Sequence, residues 1–201
     1  MDITIVASVR RQPMITEFVK DYPHIISYTP DFPFVRSFRP RPEYNHLGIR
    51  LHVGPYRCFR GHQEALRKTT GEVILVFEDD AVPDDPNSWM ASVERCVPLL
   101  DKYEVVSLHG RNIVNPTEFE LDGIKLVIPG GPEHSKVRWS LGSLAYLVKR
   151  PTAERIMRAQ YEGLPMDLFL ATEFNFCVLK DSDGKPFRHD RQHGSLVERC
   201  R

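Results

Sequence analysis

Short aliphatic and β-branched runs alternate with stretches of helical spacing along most of this chain. Residues 3–9, ITIVASV, form a short run rich in β-branched residues that predicts a buried strand. The loop RRQP follows, and Ile15, Phe18 and Val19 then recur at helical spacing until Pro23. HIISYTP predicts a second short strand, again closed by proline. Residues 30–57 break the rhythm. Prolines and aromatics mix there without a period, the pattern of a long, irregular, ordered segment.

Regular patterning returns with RCFRGHQEALRKTTGE (57–72), which sets Phe59, His62, Ala65 and Leu66 on one helix face and Gly71 at its end. VILVFED predicts the next strand, and SWMASVERCVPLLDKY a helix with Ser88 as N-cap. EVVSLHG reads as a third core strand. Residues 111–137 alternate turn residues with GIKLVIPGG, a hairpin or flap. SLAYLVKR predicts a strand and PTAERIMRAQY a helix with Pro151 at its first position. PMDLFLATEFNFCVLK carries both periods and is assigned to neither. The alternation predicts an α/β layered fold around a mainly parallel sheet, in a single domain over residues 1–201.

Composition adds limits. With 201 residues and 41% hydrophobic content, the chain can bury one substantial core. Its formal net charge of zero excludes a global field towards nucleic acid or an anionic membrane. That zero is a sum of opposites. Residues 34–60 hold six arginines against Glu43 alone, and residues 72–104 hold nine acids against Arg95 and Lys102. No run approaches the ~18 apolar residues of a membrane span. The start, MDITIVASVRRQP, lacks the basic-then-apolar plan of a secretory leader. Cys58, Cys96, Cys177 and Cys200 are far apart and without metal-ligand spacing, so they read as reduced thiols in a cytoplasmic chain.

The chemistry concentrates in VILVFEDDAVPDD (73–85), where five apolar residues run into Glu78, Asp79 and Asp80. In open α/β sheets, ligands bind at the carboxyl ends of strands. If the chain stays extended, Glu78 and Asp80 face one side and Asp79 the other. Two hard oxygen ligands suit Mg²⁺ or Mn²⁺ when water and phosphate complete the shell. The plainer alternative is a solvated acidic turn.

RCFRGHQEALRKTTGEVILVFEDDAV resembles the core signature of family-25 glycosyltransferases, which include lipopolysaccharide-type sugar transferases and collagen galactosyltransferases. Cys58, His62 and Glu78-Asp79-Asp80 match it in order and approximate spacing. WSLGSLAYLVKRPTAERIM and LPMDLFL resemble the family's next two elements, so the likeness is collinear from about residue 57 to 170. Arg57 and Gly61 stand where the family has Gly and Ser. The resemblance implies a GT-A type nucleotide-binding sandwich. It also implies metal-dependent, inverting transfer of a sugar from a nucleoside-diphosphate donor, such as a UDP-sugar, to a glycan or other hydroxyl acceptor.

Site expectations follow. Asp80 is the first choice for a metal ligand and Glu78 the second, while Asp79 contacts the donor ribose or simply bonds backbone. The resemblance implies Asp167 as base or second metal ligand, against a helix N-cap. It places His62 near donor or acceptor, against a packed helix residue. His109 ends a strand at the same sheet edge and could touch acceptor or diphosphate, against a surface turn. Arg10 and Arg11 suit phosphate, against plain surface charge. His189 and His193, in FRHDRQHGS, are candidates for a further metal or phosphate contact, against a solvated tail. Trp139, Gly142 and Tyr146 would shape the pocket wall. Other readings are a metal-dependent phosphotransferase or nuclease, a non-catalytic nucleotide-sugar-binding relative, and a transferase acting on nucleic-acid bases. The last would use the arginine- and aromatic-rich segment 34–60 as its nucleic-acid surface.

Overall fold

The β-branched N-terminal run becomes strand β1 (Asp2–Ser8), which pairs in parallel with β2 (His24–Thr29) and with β3 (Val73–Glu78). The computed structural model describes residues 1–8, 12–29, 53–110, 112–131, 137, 138, 140, 142–180 and 186–189. Between β1 and β2 lies α1 (Thr16–Val19), and α2 (Val53–Arg67) precedes β3. After β3 come β4 (Ala81–Pro83), α3 (Trp89–Cys96), a 3-10 turn (Val97–Asp101) and β5 (Val105–Ser107). The hairpin β6 (Thr117–Leu121) and β7 (Ile124–Ile128) turns through Asp122 and Gly123, whose φ angles of 53° and 74° are both positive. Asp-Gly supplies that geometry cheaply, and its twist matches the strands it joins. The chain continues through β8 (Ala145–Lys149), α4 (Arg150–Arg158), α5 (Met166–Glu173), β9 (Phe176–Leu179) and β10 (Phe187–His189).

The main sheet has eight strands in the order β2-β1-β3-β8-β5-β9-β7-β6. Six point one way and two, β8 and β7, run against them. The expected mainly parallel sheet is found in that sense. Its pleat sorts the core. Ile3, Ile5, Leu75, Phe77 and Leu147 face one side, with Trp89 and Val93 of α3. Val6, Ile74, Val76, Tyr146 and Val148 face the other, with Phe59 and Leu66 of α2, Ile156 of α4 and Phe169 of α5. Helices therefore cover both faces, as the buried strands require. Gly61 sets how closely α2 approaches, because a Cβ there would lie 2.5 Å from Thr29 Oγ1 and 3.0 Å from Val6 Cγ1.

Several boundaries depart from the expectations. α2 starts at Val53, inside the stretch read as irregular, and ends at Arg67. Gly71 is not its cap: the Thr70 and Gly71 amides instead donate to the Asp2 carboxylate, at 2.7 and 2.6 Å. The helix expected over 88–103 divides at Val97, because Pro98 has no amide hydrogen to continue the α-helical ladder. Ser88 occupies the N-cap position of α3 but makes no capping bond with its side chain. Asp85 organises that entry, accepting from the Asn87 amide at 2.9 Å and from the Ser88 hydroxyl. PMDLFLATEFNFCVLK resolves into a helix and a strand, α5 then β9. AVP, just after the acids, is a strand paired with β10. No helix among the described residues is long and apolar enough to cross a membrane.

Candidate active site

The direction of β3 decides where its acids go. Ile74 and Val76 face α2, so the pleat sends Glu78 to the same side. On α2, Cys58 and His62 are four residues apart and therefore share a face. The three side chains meet. His62 Nε2 lies 3.4 Å from Glu78 Oε1, and the Cys58 thiol is directed at the same oxygen from 4.0 Å. One ligand atom from each residue falls within 4.8 Å of the others. His62 is wholly buried, its Nδ1 is 2.9 Å from the Tyr146 hydroxyl, and the two rings stack. The Ser143 hydroxyl also donates to Glu78 Oε1.

Beyond Glu78 the chain does not stay extended. Asp79 and Asp80 form a turn into β4, so the expected alternation of Glu78 and Asp80 on one side stops at Glu78. Asp79 is buried and accepts the Ser8 amide on Oδ2 at 3.0 Å, while its carbonyl accepts the Met14 amide at 2.9 Å. Of its two expected roles, the backbone bond is the one seen. It ties the carboxyl ends of β1 and β3 together. Asp80 is 2% exposed at the same edge.

Asp167 arrives from a different part of the fold. It sits in the first turn of α5, where Pro165 is the N-cap residue, so it is not the cap. Its carboxylate accepts the Gly142 amide at 2.9 Å and the Leu168 amide at 2.9 Å. Burial holds its pKa above the ordinary carboxylate value and the Glu78 charge adds to this, while those two amides pull the other way. Gly142 has φ +106°, a conformation that favours glycine, and a Cβ there would lie 3.0 Å from His109 Cδ2. His109 is 3.0 Å through Nδ1 from the Phe187 carbonyl. A carbonyl only accepts, so Nδ1 carries the proton.

The Cys58 thiol is held well above its ordinary pKa, first by burial and then by the charges of Glu78, Asp167, Asp80 and Asp79. All four expected carboxylates thus lie within electrostatic reach of Cys58. Burial, then Cys58 and Glu78, likewise push the Tyr146 hydroxyl up and keep it neutral. β10 adds the C-terminal segment to this edge, with His189 paired to Ala81, next to Asp80.

Of the expected site residues, Glu78 and His62 meet, Asp167 lies within electrostatic reach of Glu78, Asp80 is buried at the same strand end, and His109 lies behind Gly142. Arg10, Arg11, His193 and Trp139 are outside the described residues, as are Arg36, Arg39, Arg41 and Arg50 of the basic segment. Arg60 of that segment is bonded to Gln63 at 2.7 Å and lies 3.7 Å from Glu64, both on its own helix. Cys58 is a free thiol, as expected, and the spacing among cysteines gave no sign of its neighbours, a histidine one turn on and a glutamate on the next strand. Ser143 was missed, with no signal beyond its nearness to Gly142 in the chain.

No family model matches this chain, and no curated protein matches it. Solved structures of low similarity do. A197 from STIV is 16% identical over 89% of this chain and 81% of that chain, with TM-score 0.43. Mannose-1-phosphate geranyltransferase from Thermus thermophilus is 12% identical over 94% and 75%, with TM-score 0.48. HddC from Yersinia pseudotuberculosis, complexed with GMP-PN, is 11% identical over 89% of each chain, with TM-score 0.43. None of these likenesses carries the chemistry of those proteins to this chain.

Proposed function

We propose that this chain is a metal-dependent glycosyltransferase of the GT-A type, similar to the family-25 enzymes, that moves a sugar from a nucleoside-diphosphate donor to a hydroxyl acceptor. One observation carries the reading: Glu78, Asp79 and Asp80 end β3 at the carboxyl edge of the sheet, and Asp167, from a distant part of the sequence, is buried within electrostatic reach of Glu78. Like charges crowded at a strand end, at the edge where α/β sheets take ligands, fit a hard divalent cation and a diphosphate.

Asp80 would hold Mn²⁺ or Mg²⁺, whose contribution is to neutralise charge on the diphosphate. Glu78, fixed by Ser143 and beside His62, is placed to orient the site from behind. Asp167 would act as the base. Its raised pKa makes it a better proton acceptor than an ordinary carboxylate. As the acceptor oxygen bonds to the anomeric carbon, the carbon–phosphate oxygen bond breaks and its electrons leave with the nucleoside diphosphate. The hydroxyl proton passes to Asp167. Attack opposite the leaving group inverts the anomeric centre, as in the family.

The test is a thermal-shift and hydrolysis screen of UDP- and GDP-sugars with and without Mn²⁺. One donor should raise the Tm of the wild type only when Mn²⁺ is present, and Asp80→Ala should abolish that shift. No donor response in the wild type, or an equal response in the variant, sinks the reading.

A further inference from the structure

We infer that Cys58, His62 and Glu78 form a binding site for a thiolate-preferring divalent cation of the zinc class, separate in chemistry from the hard-cation role of Asp80. The donor set comes first. A thiol, an imidazole and a carboxylate are the three ligand types that zinc takes, and magnesium and manganese have no preference for the first. Zinc bonds of about 2.0 Å to nitrogen and oxygen and about 2.3 Å to sulfur put neighbouring tetrahedral ligand atoms roughly 3.3–3.8 Å apart. Here His62 Nε2 and Glu78 Oε1 are 3.4 Å apart, and Cys58 Sγ and Glu78 Oε1 are 4.0 Å apart.

The second observation is His62 itself. Its ring is wholly buried, yet Nε2 makes no hydrogen bond, although Glu78 Oε1 is 3.4 Å away. A buried ring nitrogen without a partner is costly. When Nδ1–H donates to the Tyr146 oxygen 2.9 Å away, the Nε2 lone pair is left facing Glu78 and Cys58. In that tautomer two lone pairs face each other across 3.4 Å, and a cation between them satisfies both. The surroundings match a metal's outer shell: Tyr146 bonds the other ring nitrogen of the histidine and Ser143 bonds the carboxylate. Three protein ligands leave a fourth position for water or a substrate oxygen. On binding, the Cys58 S–H bond breaks, its proton leaves to solvent, and a sulfur–metal bond replaces it.

Metal-free protein titrated with Co²⁺ alone tests this. One equivalent should bind with a thiolate-to-cobalt charge-transfer absorption, and Zn²⁺ should displace it. Cys58→Ser should remove that absorption and weaken Zn²⁺ binding by more than roughly tenfold. Asp80→Ala should keep both, so this site and the nucleotide-sugar reading can fail separately. Cobalt bound without a thiolate band, or Cys58→Ser binding Zn²⁺ like the wild type, overturns the inference. Should that variant not fold, alkylation of the wild type decides: Zn²⁺ must protect Cys58, located by peptide mapping, and equal labelling with and without Zn²⁺ overturns the site.

Discussion

Asp167 shows how much a residue's role depends on what surrounds its carboxylate. Two amides stabilise its charge, but burial and the Glu78 charge outweigh them and its pKa stays raised. The folded state therefore binds this proton more tightly than the unfolded chain. Stability from that proton is complete below the ordinary value of 3.8 and is lost as pH rises through the higher folded value. Asp167→Asn removes the titration. Its unfolding free energy relative to wild type should rise as pH increases above the ordinary carboxylate value of 3.8 and level off once pH passes the raised folded value, measured by urea denaturation across pH. The same variant should lower turnover by about 10²–10⁴-fold if Asp167 is the base. A flat stability difference would contradict the burial argument, whereas unchanged turnover would contradict only the catalytic role. The acids themselves were legible as residues, because an apolar run ending on three carboxylates is hard to miss. The side on which Glu78 emerges was not, since it depends on which face of the sheet α2 covers.

At the scale of elements, hydrophobic pattern served where a strand or helix carried its own punctuation. β1, β2 and β3 stand where their patterns put them, and of the hairpin or flap expected over 111–137 the hairpin of β6 and β7 is the one formed. It failed where tertiary contact set the boundary. β4 and β10 are three residues each, too short to have a period, and exist because they pair with one another. Phe187 anchors that pair. It is fully buried, with its ring 4.8 Å from Phe77 and 5.7 Å from Trp89. Phe187→Ala should cost about 3–5 kcal/mol in urea denaturation, because the cavity opens among rigid aromatic rings that cannot close over it. It should also release the strand that runs beside Asp80, so nucleotide response should fall along with stability. A loss below about 1 kcal/mol would mean that the aromatic cluster collapses around the gap.

For the whole molecule, the sheet order places protection unevenly. β1, β3, β8, β5 and β9 have neighbours on both sides, and helices cover their faces. β6 is at the edge and mostly exposed, with Glu118 and Glu120 along it. Charged side chains on such an edge discourage pairing with another chain. Amide exchange should be slowest in β3 and β8 and faster by orders of magnitude in β6. Equal protection in β6 would point to a covering partner on that edge.

The sequence by itself determined the layered α/β class, that β1, β2 and β3 are strands, and that a buried strand ends in carboxylates. Period and composition are local properties, and for these they sufficed. Only the tertiary structure decided that Cys58 and His62 meet Glu78, that Asp79 spans β1 and β3, and that Asp167 joins the same edge from about ninety residues further along. Those meetings depend on the sheet order, the direction of each strand and the face each helix covers. These are set by burying the whole apolar surface at once, and no single stretch of the chain encodes them.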